Sequence, residues 1–441
     1  MRIPLNTPLA AVLLACALFT TGCDGLFDAE VSTVVDEEDI IRSGYSGAIL
    51  LARAPYDRMA NVLDNISVYG AMATDEAFAH SGQVTLGDLD TGSWSDTSPE
   101  INFAYSGLHD ARGQADRFLT DFIDRFDLSD GFPTADGVSV EVREQTLRDY
   151  ATLMRGWSTL YLGLLFEEVN FDQGAPVSSE EAIRRAITDL QAVRDGGGED
   201  VFEGIALAEA ANTLLAKAYL QLGENDSAAQ AAANGYTEDT AGGAIVAFYT
   251  GSSLNSIDGN AIFSTVGDED EQEKVWAMTR WYIDRSNDDA RIAVDSTTVN
   301  GDPFLQTADS DLEERGVNLG YVSPSVLEKY LAPSVETEPV RLLSWQDNAL
   351  TRAEALIRSG DVDGGVDLIN DVRDAASDPD GGDLPDVDAD DSEGALALVR
   401  TERRIELAAE IADRFITLRR FGIQHEYGDR PYAFPIPNTE L

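Results

Sequence analysis

The sequence predicts a mainly α-helical protein, on three observations. Apolar residues recur at helical spacing through much of the chain, and turn-rich stretches separate those runs. Two segments, 215–232 and 353–372, share one spacing of small residues around a glycine. A further stretch at 400–422 is amphipathic and closes on a glycine.

The 441 residues suit two or three domains, or one unit extended by helical repeats. Hydrophobic content of 43% allows a sizeable core, which excludes global disorder. Charge is the outlying property: 80 acidic against 31 basic residues give a formal net charge of −49. Nucleic acid would be repelled, and no basic patch interleaved with aromatics occurs, so that partner is set aside. The only lysines are Lys217, Lys274 and Lys329, the other cations being arginines. Such a surface repels itself unless ions screen it. The composition therefore reads as adaptation to a saline setting and says little about ligand.

Residues 1–22 read as a targeting segment outside the fold. Arg2 supplies the positive start, and 9–19 is an apolar run of 11 residues, too short to span a bilayer as a helix. Thr21 and Gly22 then precede Cys23. The arrangement resembles a bacterial lipobox, which implies lipidation of Cys23. Cys16 would leave with the targeting segment, so no disulfide is expected within the mature chain. An acidic tether is expected at 23–39 and the folded body at 40–441, its N-terminal part covering roughly 40–200.

Within the body, helices are expected at 40–63 and 100–125, with a polar loop at 82–99 that holds Trp94. A long helix follows at 147–169, with Leu153, Trp157, Leu160, Tyr161 and Leu164 on one side. Another covers 179–194. Ser178 or Ser179 serves as its N-cap, Glu180 and Glu181 fill its first turn, and Gly196-Gly197-Gly198 breaks the chain after it. Ala216 stands seven residues before Gly223 and Ala228 five after it; Ala353 and Gly365 flank Gly360 in the same way. That spacing resembles a tetratricopeptide repeat, in which small residues let two helices approach and glycine ends the first. Helix pairs are thus expected near 147–235 and 346–376, with 147–169 and 179–194 forming a divergent third unit.

In 400–422, Ile405, Ala408, Ala409, Ala412, Phe415 and Ile416 form one stripe of a single helix, and Glu410 stands four residues before Arg414 with the acid first. Arg403, Arg404, Glu406, Leu407, Ala408 and Glu410, then Arg414, Leu418, Arg419, Arg420, Phe421 and Gly422, are followed by Pro435-Ile436-Pro437. This set resembles the C-terminal signature of the SusD/RagB family. The resemblance implies a SusD-like helical fold built on divergent tetratricopeptide-like helix pairs with long irregular loops. It also implies a surface-exposed, lipid-anchored outer-membrane protein that binds oligosaccharides or other polymer fragments. Such a protein passes them, without bond cleavage, to a SusC-like TonB-dependent transporter. One departure is visible: where the family has a glycine shortly after the glutamate matched by Glu410, this chain has Ile411-Ala412-Asp413.

Catalytic motifs are scarce. No lysine follows a glycine, so there is no P-loop, and His425-Glu426 lacks the second histidine of a zinc-protease helix. His80, His109 and His425 are scattered, and neither a metal nor a cofactor is expected. Asp386, Asp388 and Asp390 mimic the opening of a calcium loop. Asp391 at the turn-glycine position and Ala397 at that of the bidentate glutamate make it a solvated acidic loop instead. Among 80 acidic residues a glycosidase-like acid pair arises by chance, so a lipid-anchored carbohydrate-active hydrolase is the alternative, beside a repeat scaffold with no small ligand.

Trp157 and Trp345 sit on helical patterns and read as core. The candidate ligand contacts are Trp94 with nearby Asp96, and Trp276, Trp281 and Tyr282 in a polar stretch between acidic runs. Sugar rings stack on flat apolar faces while polar groups bond their hydroxyls. Whether the ligand is a glycan or a peptide stays open.

The salt reading has a direct test. The thermal midpoint of the purified protein should climb as NaCl rises from low to molar concentration, and a flat response would refute it.

Overall fold

A computed structural model describes residues 37–79, 84–129, 138–171, 174–240, 242–247, 276–283, 285, 288–292, 340–377, 380–423 and 430–440. The lipobox with Cys23 lies outside the described residues, as do His80 and His425.

The described residues open with α1 (Glu37–Arg42), which straddles the boundary at 39/40 between the expected tether and body; Arg125 pairs there with Glu37 at 2.6 Å and Glu38 at 2.7 Å. Then come the long α2 (Tyr45–Met72), β1 (Ala77–Ala79), a short α3 (Val84–Thr91) and α4 (Pro99–Arg117). Proline starts α4 at a position where its missing N–H has no helical partner to lose. α5 (Val140–Leu165) begins earlier than its apolar stripe suggested, because Ser139 Oγ accepts from Val142 N–H and caps it. β2 (Glu168–Val169) and β3 (Val177–Ser178) lead into α6 (Ser179–Arg194), capped by Ser178. β4 (Val201–Phe202) and β5 (Ile205–Ala206) precede α7 (Leu207–Gln221) and α8 (Asn225–Ala232). Next are β6 (Ala244–Ala247), β7 (Trp276–Met278), α9 (Arg280–Ile283) and β8 (Val340–Ser344). α10 (Trp345–Ser359), α11 (Val362–Asp374), α12 (Ser392–Glu406) and α13 (Asp413–Phe421) complete the helices.

The fold is mainly α. Its described strands form only two-stranded antiparallel pairs, β1–β7, β2–β3, β4–β5 and β6–β8. Helices pack in succession: α2 on α4, α4 on α5, α5 on α6, α6 on α7, α7 on α8, then α8 on α10 and α10 on both α11 and α12.

The glycine spacing has a steric cause. Gly223 and Gly360 end α7 and α10 at φ +73° and +96°, a backbone region nearly closed to residues with a Cβ. At Gly365 an added Cβ would stand 2.9 Å from the Ala353 carbonyl oxygen, and at Gly163 one would stand 2.7 Å from Ile183 Cγ1. The second contact joins α5 to α6.

The expected single helix at 400–422 does not form. α12 stops at Glu406 and α13 starts at Asp413, with a tight turn between them in which Ala409, Ile411 and Ala412 have φ of 54°, 38° and 54°. Glu410 therefore faces Arg341 rather than Arg414, with Arg341 Nε donating to Glu410 Oε1 at 2.9 Å. The turn is held by α2: Ile411 N–H donates to Ser67 Oγ at 3.0 Å, and Ala412 lies against Gly70. Ala409, Ile411 and Ala412 thus take left-handed backbone without a glycine among them. Two smaller differences accompany this. The loop at 82–99 contains α3, and Asp391, which spoils the calcium pattern, caps α12 by accepting from Gly394 N–H at 2.8 Å.

A Cβ at Gly70 would stand 2.3 Å from Ala412 Cβ and 2.4 Å from its Cα. Gly70→Ala should therefore lower stability by about 1–3 kcal/mol. Gly113→Ala, where nothing lies within 4 Å of the new Cβ, should raise it by about 0.5–1 kcal/mol. Urea midpoints of the two variants check the pair; equal shifts would show that the turn does not bear on α2.

Candidate ligand-binding face

The candidate residues fall in two groups, and both rest on the C-terminal stretch. Trp94 is 8% exposed, its ring edge-on to Phe434 at 5.4 Å and Phe415 at 6.3 Å. Phe415 and Phe434 stack on each other at 4.7 Å. The structure therefore places Trp94 in the core. Asp96 is exposed, and its carbonyl accepts from Asn438 N–H at 2.9 Å. The closing segment is tied to the end of α5 as well: Phe434 N–H donates to the Leu165 carbonyl at 2.8 Å.

The second group lies on β7 and α9. Trp276 sits opposite Ala79 in the β1–β7 register, and Met278 opposite Ala77. Thr279 continues the junction, its N–H donating to the Glu76 carbonyl at 2.9 Å and its hydroxyl to the Asp75 carbonyl at 2.8 Å. Tyr282 is fully buried. Trp281 is half-buried, and two guanidinium groups stand over its ring, that of buried Arg404 at 4.0 Å and that of exposed Arg285 at 4.3 Å.

Beneath this group lies an acid pair whose carboxyls are shifted in opposite directions. Asp75 and Glu76 are each 1% exposed. Burial pushes Asp75 up. The bidentate bonds from Arg414 Nε and Nη2, 2.8 Å each, and the charge of Arg404 outweigh it and hold the carboxyl at about 2. Glu76 has no such partner, and burial carries it up to about 7 against a weaker opposing pull from Tyr282 and Arg414. Proton counting agrees. The Tyr282 hydroxyl lies 2.9 Å from Glu76 Oε1 and 3.0 Å from the Arg404 carbonyl oxygen, and its one hydrogen cannot serve both. A protonated Glu76 that donates to Tyr282 Oη, which in turn donates to the Arg404 carbonyl, satisfies every group. This split resembles an acid–base pair, yet both carboxyls are enclosed and bonded, and their work is to fasten β7 and α9 to α12 and α13.

A second buried network escaped the sequence reading. Lys217 on α7 and Arg403 on α12 both bond Asp347 on α10, and Arg403 also bonds Asp413. Burial works against the Lys217 charge, but Asp347, Tyr161 and Asp413 hold its ammonium well above the usual lysine range. Its sequence signal was a lysine within the apolar run Leu214-Leu215-Ala216-Lys217-Ala218, in a chain whose cations are nearly all arginine. Among the described residues, no group of three or more histidine, cysteine, aspartate or glutamate side chains could hold a metal ion.

Residues 345–437, from α10 through the Pro-Ile-Pro motif, match the profile of the SusD family. The C-terminal part of the chain thus carries the SusD-family pattern. Solved SusD-type structures share its fold. One, a SusD superfamily protein from Bacteroides thetaiotaomicron VPI-5482, is 16% identical with a TM-score of 0.69, covering 90% of this chain and 97% of that one. Another, a laminarin-binding SusD-like protein, is 18% identical with a TM-score of 0.65, covering 90% and 97%. A third, a SusD-like carbohydrate-binding protein from Bacteroides vulgatus ATCC 8482, is 14% identical with a TM-score of 0.64, covering 86% and 84%. Comparison with curated proteins finds no match. Here Arg403, Arg404, Arg414 and Arg420, with Glu406 and Glu410, are ion-pair partners, while Arg419 bonds the Gly163 and Leu164 carbonyls and Ser179, so the motif secures the scaffold on which the candidate face is built.

The Glu76 assignment predicts a pH profile. The unfolded chain loses this proton near 4.5 and the folded chain near 7. The stabilisation is complete below pH 4.5 and lost as pH rises to about 7, on the order of 3 kcal/mol at most. Glu76→Gln, which keeps a neutral donor toward Tyr282, should remove that decline from chemical-denaturation curves; an unchanged slope would refute the protonation state.

Proposed function

We propose that this chain is a cell-surface glycan-binding lipoprotein. It captures oligosaccharides and passes them to a SusC-like TonB-dependent outer-membrane transporter, as a lid over it. The observation that carries the reading is the C-terminal SusD match on a fold shared with proteins named for binding laminarin and carbohydrate. Lipidated Cys23 is the anchor in this reading, followed by an acidic tether and the body at 40–441. Among the described residues no helix is long and apolar enough to cross a membrane.

Of the candidate aromatic side chains that are described, Trp281 is the one whose surface stays partly open. An incoming sugar ring would take the place of exposed Arg285 over it, while Arg404 remains fixed beneath by its bond to the Asp75 carbonyl at 3.0 Å. Trp94 and Tyr282 would support the structure from the core. Binding without cleavage is favoured over hydrolysis because the acid pair with oppositely shifted carboxyls is enclosed rather than open to substrate.

A pull-down from native outer membranes, with an affinity tag at Leu441, should recover a large β-barrel protein in near-equal amount. Recovery of nothing of that size, in detergent at matched salt, would overturn the transporter assignment. Trp281→Ala should weaken oligosaccharide binding about tenfold or more; because the ring also packs on Arg404 and Tyr282, binding is compared at a temperature where the thermal midpoint shows the variant folded, and unchanged binding there would refute the contact.

A further inference from the structure

The molecule holds a second recess, far in sequence from the aromatic stretch at 276–282. A cleft of about 480 Å³ opens between the end of α8, the turn after it, and the facing sides of α10 and α11. Its volume lies within the range of small-molecule sites. The side chains lining it include Trp345, Asn348 and Arg352 from α10, Asp371 and Asp374 from α11, and Glu238 from the turn.

Three features set this cleft apart from an ordinary groove between helices. Trp345, expected to be core, is only half-buried and turns part of its indole toward the opening, and no described residue accepts from its N–H. Arg352 has neither an ion pair nor a hydrogen bond among the described residues, and its Nε is buried without an acceptor. In a chain of charge −49, where the arginines at 341, 358, 373, 403, 414 and 420 each hold a carboxylate, an idle guanidinium is a marked exception. Asn348 is 4% exposed. Its Nδ2 donates to the Ala232 and Tyr236 carbonyls at 2.9 Å each, which fixes the amide and leaves Oδ1 with no donor.

We infer that this cleft is a second glycan site, which takes one or two neutral sugar residues of the captured chain. A flat apolar platform, free donors on Arg352 and Trp345, and carboxylate acceptors on Asp371, Asp374 and Glu238 match a ring whose hydroxyls both donate and accept. Three carboxylates around one guanidinium disfavour an anionic ligand. The half-open indole of Trp345 and the unused donors of Arg352 suit a neutral hydroxylated ring. The inference rests on the glycan-capture reading and adds a location on the repeat scaffold.

The test uses the full mature chain on an array of neutral oligosaccharides from plant, algal and microbial polymers. The wild type is compared with Trp345→Ala, Arg352→Gln and Trp281→Ala. Arg352→Gln breaks no bond seen in the described residues, so it should fold even if Trp345→Ala does not; thermal midpoints check both. A tenfold or greater loss of array binding in the α10 variants, partly restored by Trp345→Phe, is the expected result. Binding unchanged in Arg352→Gln and in a folded Trp345→Ala, but lost in Trp281→Ala, would overturn the second site and leave glycan capture standing. No array binding by the wild type would overturn both.

Discussion

Everything in the C-terminal third depends on buried arginines finding carboxylates from distant parts of the chain. Arg414 and Arg404 close on Asp75, Arg403 on Asp347 and Asp413, Arg420 on Glu354, and Arg341 on Glu406 and Glu410. An unpaired charge in such surroundings costs several kcal/mol, whereas a fully bonded one is tolerated. The segment can therefore dock in one register only. Gaining Asp75 means placing α13 beside β1, and gaining Asp347 means placing α12 beside α10.

That docking explains the turn at 407–412. A continuous helix would have kept Glu410 four residues from Arg414 on one face. Both residues have better-shielded partners elsewhere, and the chain accepts three left-handed residues to reach them. Each such residue costs on the order of 1 kcal/mol. The ion pairs, the Ser67 bond and the close approach of Ala412 to Gly70 offset this strain.

The same docking decides which aromatics are available. Trp94 is taken up by the Phe415–Phe434 stack and Tyr282 by Glu76 and the Arg404 carbonyl. Trp281 is held from one side by Arg404 and left partly open. Scaffold and candidate face are thus one construction, since the arginines that fix the last helices also position the ring. The repeat pairs contribute separately, through the cleft between α8, α10 and α11.

The sequence alone determined what depends on local physics and on motif. Helical periodicity, the Ser178 cap and the glycines at helix ends act within a few residues of themselves, and they placed α6, α7, α8, α10 and α11. The signature pointed to a SusD-like pattern from residue types alone, even though the charge partners of Arg403, Arg404, Arg414 and Arg420 were invisible. Tertiary structure decided what depends on those partners. It broke the 400–422 helix, buried Trp94, left Trp345 packed on the core yet half-open to a cleft, and shifted Asp75 and Glu76 in opposite directions. Adjacent acids look alike in a sequence with 80 of them. Only the position of Arg414, more than three hundred residues away, tells them apart.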